Sequence, residues 1–219
     1  MLFSFVGPFA LSFDKKVAFY KQWKALFYGI GANAVLFLTW DSWFAINKVW
    51  GFNPRYSSSF RLFELPIEEY LFFLVVPYAS VFIYACLKAY IAKPWSQKTV
   101  QVLNGLAMLV LIAAIVSYND RLYTIVNASV ALILLIFHMF IAKKNYLPYF
   151  WMAYWVHLIP FAIINGILTG ATTPEPVVWY NAEQIIGWRF VTIPAEDFIY
   201  AFTCLLLPIT VMEAQLSKK

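Results

Sequence analysis

The chain has 219 residues, of which 63% are hydrophobic, 20% aromatic and only 12% charged, and its formal net charge is +5. This composition excludes a soluble globular domain and marks an integral membrane protein. The apolar runs are long and separated by charged loops, so they read as helices and not as the short alternating strands of a β-barrel.

Met1 to Phe13 is apolar and contains Gly7-Pro8, but it reaches only roughly 20 Å at about 1.5 Å per residue, too short to span comfortably. No basic segment precedes it, so no cleavable signal is expected. Helix 2 is predicted from about Val17 to Phe44, helix 3 from Pro66 to Ile91, helix 4 from Thr99 to Tyr118 and helix 5 from Leu122 to Ala142. Helix 6 follows from about Pro148 to Leu168 and helix 7 from Pro194 to Leu216. Cys86 and Cys204 lie inside apolar runs, with no disulfide or metal spacing.

One motif occurs twice. Leu65-Pro66-Ile67-Glu68-Glu69-Tyr70 is followed, at a constant offset of 128 residues from Pro66 to Pro194, by Ile193-Pro194-Ala195-Glu196-Asp197-Phe198. The same offset aligns Lys15-Lys16 with Lys143-Lys144, Trp23 with Trp151, Asn53 with Asn181 and Arg61 with Arg189, which indicates an internal duplication. Helices 1 to 3 (1–92) then match helices 5 to 7 (121–219), with helix 4 (93–120) as an unmatched linker. The expected fold is an all-α membrane protein of about seven helices. The first is short, and its partner in the second half implies that several N-terminal residues are missing through a misassigned or shortened start. One inserted span gives both repeats the same orientation about an axis along the membrane normal, so both acid motifs share one face.

The face bearing Lys15, Lys16, Lys88, Lys143, Lys144 and Lys218 is more basic than that bearing Lys48, Arg55, Arg61, Arg121 and Arg189. The positive-inside rule therefore predicts a multi-pass protein of the cell membrane with a cytoplasmic C-terminus, and it accounts for the net charge without nucleic acid.

Each motif sets a proline and two acids at the start of a long apolar helix. In general, apolar burial favours a neutral carboxyl more strongly than a helix N-terminus favours its ionised form, so an acid facing a bundle interior can serve as a proton donor. Neighbouring helical positions point about 100° apart, so Glu68 and Glu69 should not share one pocket, nor Glu196 and Asp197. Glu68 and Glu196 are favoured because both halves carry glutamate there. Arg61 and Arg189 are candidate counter-ions or interfacial anchors, and Asp41, near the outer end of helix 2, is a candidate third acid. Tyr70, Phe72, Phe73, Phe198 and Tyr200 flank the acids, and their π faces suit stabilisation of a cation.

Gly29-x-Gly31-x-x-Ala34 fits a dinucleotide pattern but lies inside a membrane helix, where small residues more simply permit close packing. No flavin or nicotinamide site is recognisable. His138 and His157 have no ligand spacing to a partner and read as hydrogen-bonded packing residues, as do Asn33, Asn104, Asn127 and Asn165.

Trp50-Gly51-Phe52-Asn53-Pro54-Arg55-Tyr56 together with the two acid motifs resembles the carotenoid lycopene cyclases of the small membrane type, over nearly the whole chain. The likeness is to the fused two-half form without an attached phytoene synthase. It implies redox-neutral cyclisation of the ψ-ends of lycopene to β-rings without a cofactor: an acid protonates the terminal double bond, the tertiary cation is attacked by the neighbouring alkene, and a base removes a proton. Glu68 and Glu196 would be acid and base candidates, with Glu69 and Asp197 as supports or substitutes. The implied partners are lycopene or a related acyclic carotenoid, the bilayer, and other carotenoid enzymes or further copies of the chain. Other readings are a cyclase giving ε, γ or single rings, and, from a different class, a small transporter with internal repeats. A retinal receptor is disfavoured because helix 7 has no lysine before Lys218.

Overall fold

The computed structural model describes residues 2–142 and 145–218; Met1, Lys143, Lys144 and Lys219 lie outside them, and so does the alignment of Lys15-Lys16 with Lys143-Lys144. Among the described residues the chain is all-helical apart from short strand pairs. Its elements run α1 (Leu2–Leu11), α2 (Trp23–Ile46), β1 (Trp50–Phe52), β2 (Arg61–Leu62), β3 (Leu65–Pro66), α3 (Ile67–Tyr90), α4 (Gln97–Ser117) and α5 (Leu122–Ile136). A π-helical turn, Phe137–Ala142, extends α5, and α6 (Leu147–Leu168), β4 (Val178–Tyr180), β5 (Arg189–Phe190), β6 (Ile193–Pro194) and α7 (Ala195–Leu216) complete the fold.

Five of these helices, α3, α4, extended α5, α6 and α7, are long and apolar enough to cross a membrane. Helix α1 has only 10 residues. Helix α2 has 24, but Tyr28, Asn33, Thr39, Trp40 and Asp41 dilute its apolar character. The expected start of helix 2 at Val17 is corrected to Trp23. Asp14 accepts the backbone N–H groups of Lys16 and Val17 at 2.9 and 3.0 Å, and Ala18 adopts a left-handed conformation with φ 44°. A 3-10 turn, Phe19–Gln22, then leads into the helix. The Val17 and Lys16 backbone bonds hold the Asp14 carboxyl below the usual carboxylate range.

Helix α2 lies along α7, α3 packs against α6 and α1, and α5 sits between α4 and α7. One buried cluster centres on Leu26, Val81, Tyr84, Phe150, Leu206 and Ile209; a second, near the strands, centres on Phe37, Phe44, Leu65, Phe73 and Tyr123. Leu109, Val110 and Val116 of α4 and Ile159 and Ile163 of α6 point outward, which is stable where lipid takes the place of water.

Segments 128 residues apart adopt the same local structure. The hairpin β2–β3 pairs Arg61 with Pro66, and β5–β6 pairs Arg189 with Pro194. Phe63 and Val191 occupy equivalent positions with φ 50° and 58°. In each hairpin the arginine donates to a backbone carbonyl three residues on, Arg61 to Glu64 and Arg189 to Thr192. Strands β1 and β4 are themselves such a pair, and they join each other antiparallel with Gly51 opposite Trp179. The flanking bonds are reciprocal: Asn53 N–H donates to Val177 O at 2.8 Å, and Asn181 N–H to Val49 O at 2.9 Å. A Cβ on Gly51 would meet the Trp179 ring at 2.6 Å.

The glycines of α2 separate in the same way. A Cβ on Gly29 would lie 2.5 Å from the Pro208 carbonyl oxygen of α7, whereas one on Gly31 meets nothing within 4 Å. Backbone cannot yield as a side-chain tip can, so Gly29→Ala is expected to cost about 1–3 kcal/mol by forcing α2 and α7 apart. Gly31→Ala should leave the unfolding midpoint in detergent unchanged or slightly raised; equal midpoints for the two variants would show that the Gly29 contact does not hold the helices.

Candidate active site

The hairpins that precede α3 and α7 end in Pro66 and Pro194, whose extended backbones (φ −69° and −59°) turn the chain into the helix. The two acids of each motif therefore fall in the first helical turn. Both motifs reach one cavity of about 370 Å³, lined by Glu68, Glu69 and Asp197 together with Trp50, Phe52, Tyr56, Phe72, Tyr123, Phe161, Tyr180 and Tyr200. Asn165, Leu168 and Val178 close the remaining wall. The cavity thus lies beneath the β1–β4 pair and between α3, α6 and α7.

The four acids have different surroundings. Asp197 accepts three hydrogen bonds: from Tyr123 at 2.8 Å on Oδ1, and from Asn165 and Tyr180, both at 2.7 Å, on Oδ2. Glu69 lines the same cavity with no hydrogen-bond donor directed at its carboxyl among the described residues. Glu196 does not line it. Its Oε1 instead accepts the Thr124 hydroxyl and the Ile186 N–H, both at 2.6 Å, and its Oε2 is buried without a partner. Glu68 repeats this arrangement, with Oε1 accepting the Ser58 N–H at 3.1 Å and Oε2 buried without a partner. In both copies the first acid thus ties its helix to the backbone ten residues upstream, because the preceding loop folds back over the helix N-terminus. Glu68 also borders the cavity beside Glu69, contrary to the expectation that adjacent acids diverge; the cavity wraps around the end of α3 and meets both faces.

Asp41 is fully buried and accepts the Tyr200 hydroxyl on Oδ2 at 2.8 Å, which joins it to the cavity through that ring. Arg61 and Arg189 form no ion pair with the motif acids. The Arg61 guanidinium is bound to Glu64 O and Ser57 Oγ, and that of Arg189 to Thr192 O, 5.5 Å from the Tyr180 ring centre. Each arginine donates to a backbone carbonyl of its own hairpin.

Of the expected pocket aromatics, Phe72 and Tyr200 line the cavity. Tyr70 turns away to donate to Leu62 O, Phe73 is packed on Phe37, and Phe198 lies between Phe161 and Phe190. The lining residues missed in the sequence are Tyr123, Phe161, Asn165 and Tyr180. The 128-residue offset from Phe52 points to Tyr180, whereas nothing local distinguishes Tyr123. Burial pushes the Tyr180 phenol well above its ordinary range, with the Asp197 charge acting in the same direction, so it remains an O–H donor at neutral pH.

The histidines and remaining polar residues are committed elsewhere. His138 is bound to Leu134 O, Tyr146 and Thr210, and His157 to Ser80. Asn33 contacts Cys204 Sγ, and Asn104 accepts the Trp151 indole N–H.

Removing the Glu196 carboxyl would leave the Thr124 hydroxyl and the Ile186 N–H without their acceptor. Glu196→Ala is therefore expected to destabilise the protein by about 1–3 kcal/mol, and Glu196→Gln, which keeps a carbonyl oxygen, to recover most of it. Thermal unfolding in detergent checks this, and an unchanged midpoint for Glu196→Ala would remove its bracing role.

The chain matches the family described as Lycopene cyclase over residues 1–87 and 120–214. Comparison with curated proteins and with solved structures gives no match.

Proposed function

This chain belongs to the lycopene cyclase family, and we propose that it closes the ψ-ends of lycopene to β-rings by acid–base chemistry in the cavity shared by its two acid motifs. The carrying observation is the unequal hydrogen bonding of Glu69 and Asp197 across that cavity. An ionised carboxylate only accepts hydrogen bonds, whereas a protonated one carries a donor of its own. Three donors on Asp197 suit an ionised base, and a donor-free Glu69 among aromatic rings suits a protonated acid.

In the proposed reaction Glu69 delivers its proton to the terminal double bond of the polyene. The resulting tertiary cation is attacked by the next alkene, which forms the ring bond and moves the positive charge into the ring. Asp197 then takes a ring proton, which restores a double bond. The product is an isomer of the substrate, and proton return from Asp197 to Glu69 completes the cycle with no oxidant or reductant. Tyr200, Phe72 and Tyr180 offer π faces to the cation while it lasts. Glu68 and Glu196 act in this scheme by bracing the loops that carry Tyr56 and Tyr180, and Asp41 by holding Tyr200.

We also propose the duplicated architecture: repeats at 1–92 and 121–219 around linker helix α4, with seven membrane segments and a cytoplasmic C-terminus. Its supports are the equivalent hairpins, the mutual pairing of β1 and β4, and the two matched segments that leave α4 outside. One shared cavity implies that the two ends of lycopene are cyclised in turn.

The test is the pigment profile of a lycopene-accumulating bacterial host. The wild type should yield bicyclic β-carotene, and Glu69→Gln and Asp197→Asn should each slow cyclisation by about 10²–10⁴-fold and leave lycopene. Glu68→Gln and Glu196→Gln should lower activity no more than they lower the amount of folded protein. An ε-ring product would retain the cation chemistry and replace the β-ring assignment, while full activity in Asp197→Asn would eliminate Asp197 as the base.

A further inference from the structure

A second, smaller cavity of about 230 Å³ lies between α1, α3 and α6. It shares Phe72, Phe161, Asn165 and Leu168 with the acid cavity, so the two meet along a common wall. Building on the cyclase reading above, we propose that this second lobe binds the conjugated body of the polyene whose end group occupies the acid cavity.

The geometry is that of a groove. On α3, Phe72, Val76, Ala79 and Ile83 border both lobes or the second alone, and their spacing keeps them on one helix face. At about 1.5 Å per residue this face runs roughly 16 Å from the acid end toward the middle of the helix. Pro160 and Ile164 of α6 form the opposite wall, and Pro8 of α1 contributes an edge. Most of these side chains are half-buried, and the groove runs between helices of the bundle.

Of its polar side chains, Ser80, His157 and Asn165 are already bonded to protein, and Ser4 lies at its edge. The Ser80 hydroxyl donates to Val76 O at 2.7 Å and lies 3.1 Å from His157 Nδ1, and Asn165 donates to Asp197. The wall is thus mostly hydrocarbon, and a long apolar rod can lie against it at little desolvation cost. The acid cavity continues from its upper end, so the occupant must carry a reactive end group on an extended apolar body. Together the lobes fall within the about 300–1,000 Å³ usual for small-molecule sites.

The groove makes chain length a determinant of turnover. Ala79→Phe and Ile164→Trp should fill it from opposite walls and lower kcat/KM for lycopene, relative to a short acyclic terpenoid with the same ψ-end, by about tenfold. Ala79→Leu should give an intermediate ratio, and Ile163→Trp, at an outward-facing position that is 62% exposed, should leave the ratio unchanged. The measurement uses the full chain in proteoliposomes with both compounds. With an active wild type, an unchanged ratio in both filling variants would overturn the groove alone, as would restoration of their ratio by excess lipid acyl chains. A wild type that cyclises neither compound would overturn the cyclase reading and the groove with it.

Discussion

The antiparallel pairing of β1 with β4 is the constraint on which the site depends. These strands lie in connections far apart in sequence, and each contributes only three residues. Bound edge to edge, they fix the loop after α2 to the loop after α6 and so place Phe52, Trp50 and Tyr180 over a single cavity. The close approach of Gly51 to the Trp179 ring leaves no room for a Cβ at the crossing point. Reciprocal bonds from Asn53 N–H to Val177 O and from Asn181 N–H to Val49 O extend the ladder at both ends.

Below that lid, the helices are set by what their first turns can bond. Hairpins β2–β3 and β5–β6 deliver Pro66 and Pro194 in extended conformations, and the acid that follows by two residues ties the helix back to its loop. The next acid is then free of backbone duties and reaches the cavity. Two neighbouring carboxyls thereby acquire different bonds: the first holds its loop in both copies, and the second reaches the cavity, which Glu68 also borders. The close contact of Gly29 with α7 brings α2 near enough for Asp41 to receive the Tyr200 hydroxyl.

Much of this was legible in the sequence because it is written in spacing. The 128-residue offset locates both motifs, the equivalent asparagines and the equivalent arginines, and apolar run length locates the helices from α3 onward. The start of α2 was not legible, because the left-handed Ala18 and the Asp14 backbone bonds interrupt an apolar run without a proline or glycine to announce it. Which of two adjacent acids bonds its loop was not legible either. It depends on whether a loop folds back over the helix end, and a shared Glu at 68 and 196 is equally consistent with a shared structural bond.

The offset also aligns positions that differ in chemistry. Position 180 is Tyr and its equivalent, 52, is Phe; position 165 is Asn and its equivalent, 37, is Phe. Tyr180 and Asn165 are two of the three donors to Asp197, whereas the residues 128 positions earlier, Phe52 and Phe37, carry no donor group. The third donor, Tyr123, lies too near the start of the second half to have an equivalent in the chain. In the proposed reaction, that difference in donors is what separates Asp197 as proton acceptor from Glu69 as proton donor.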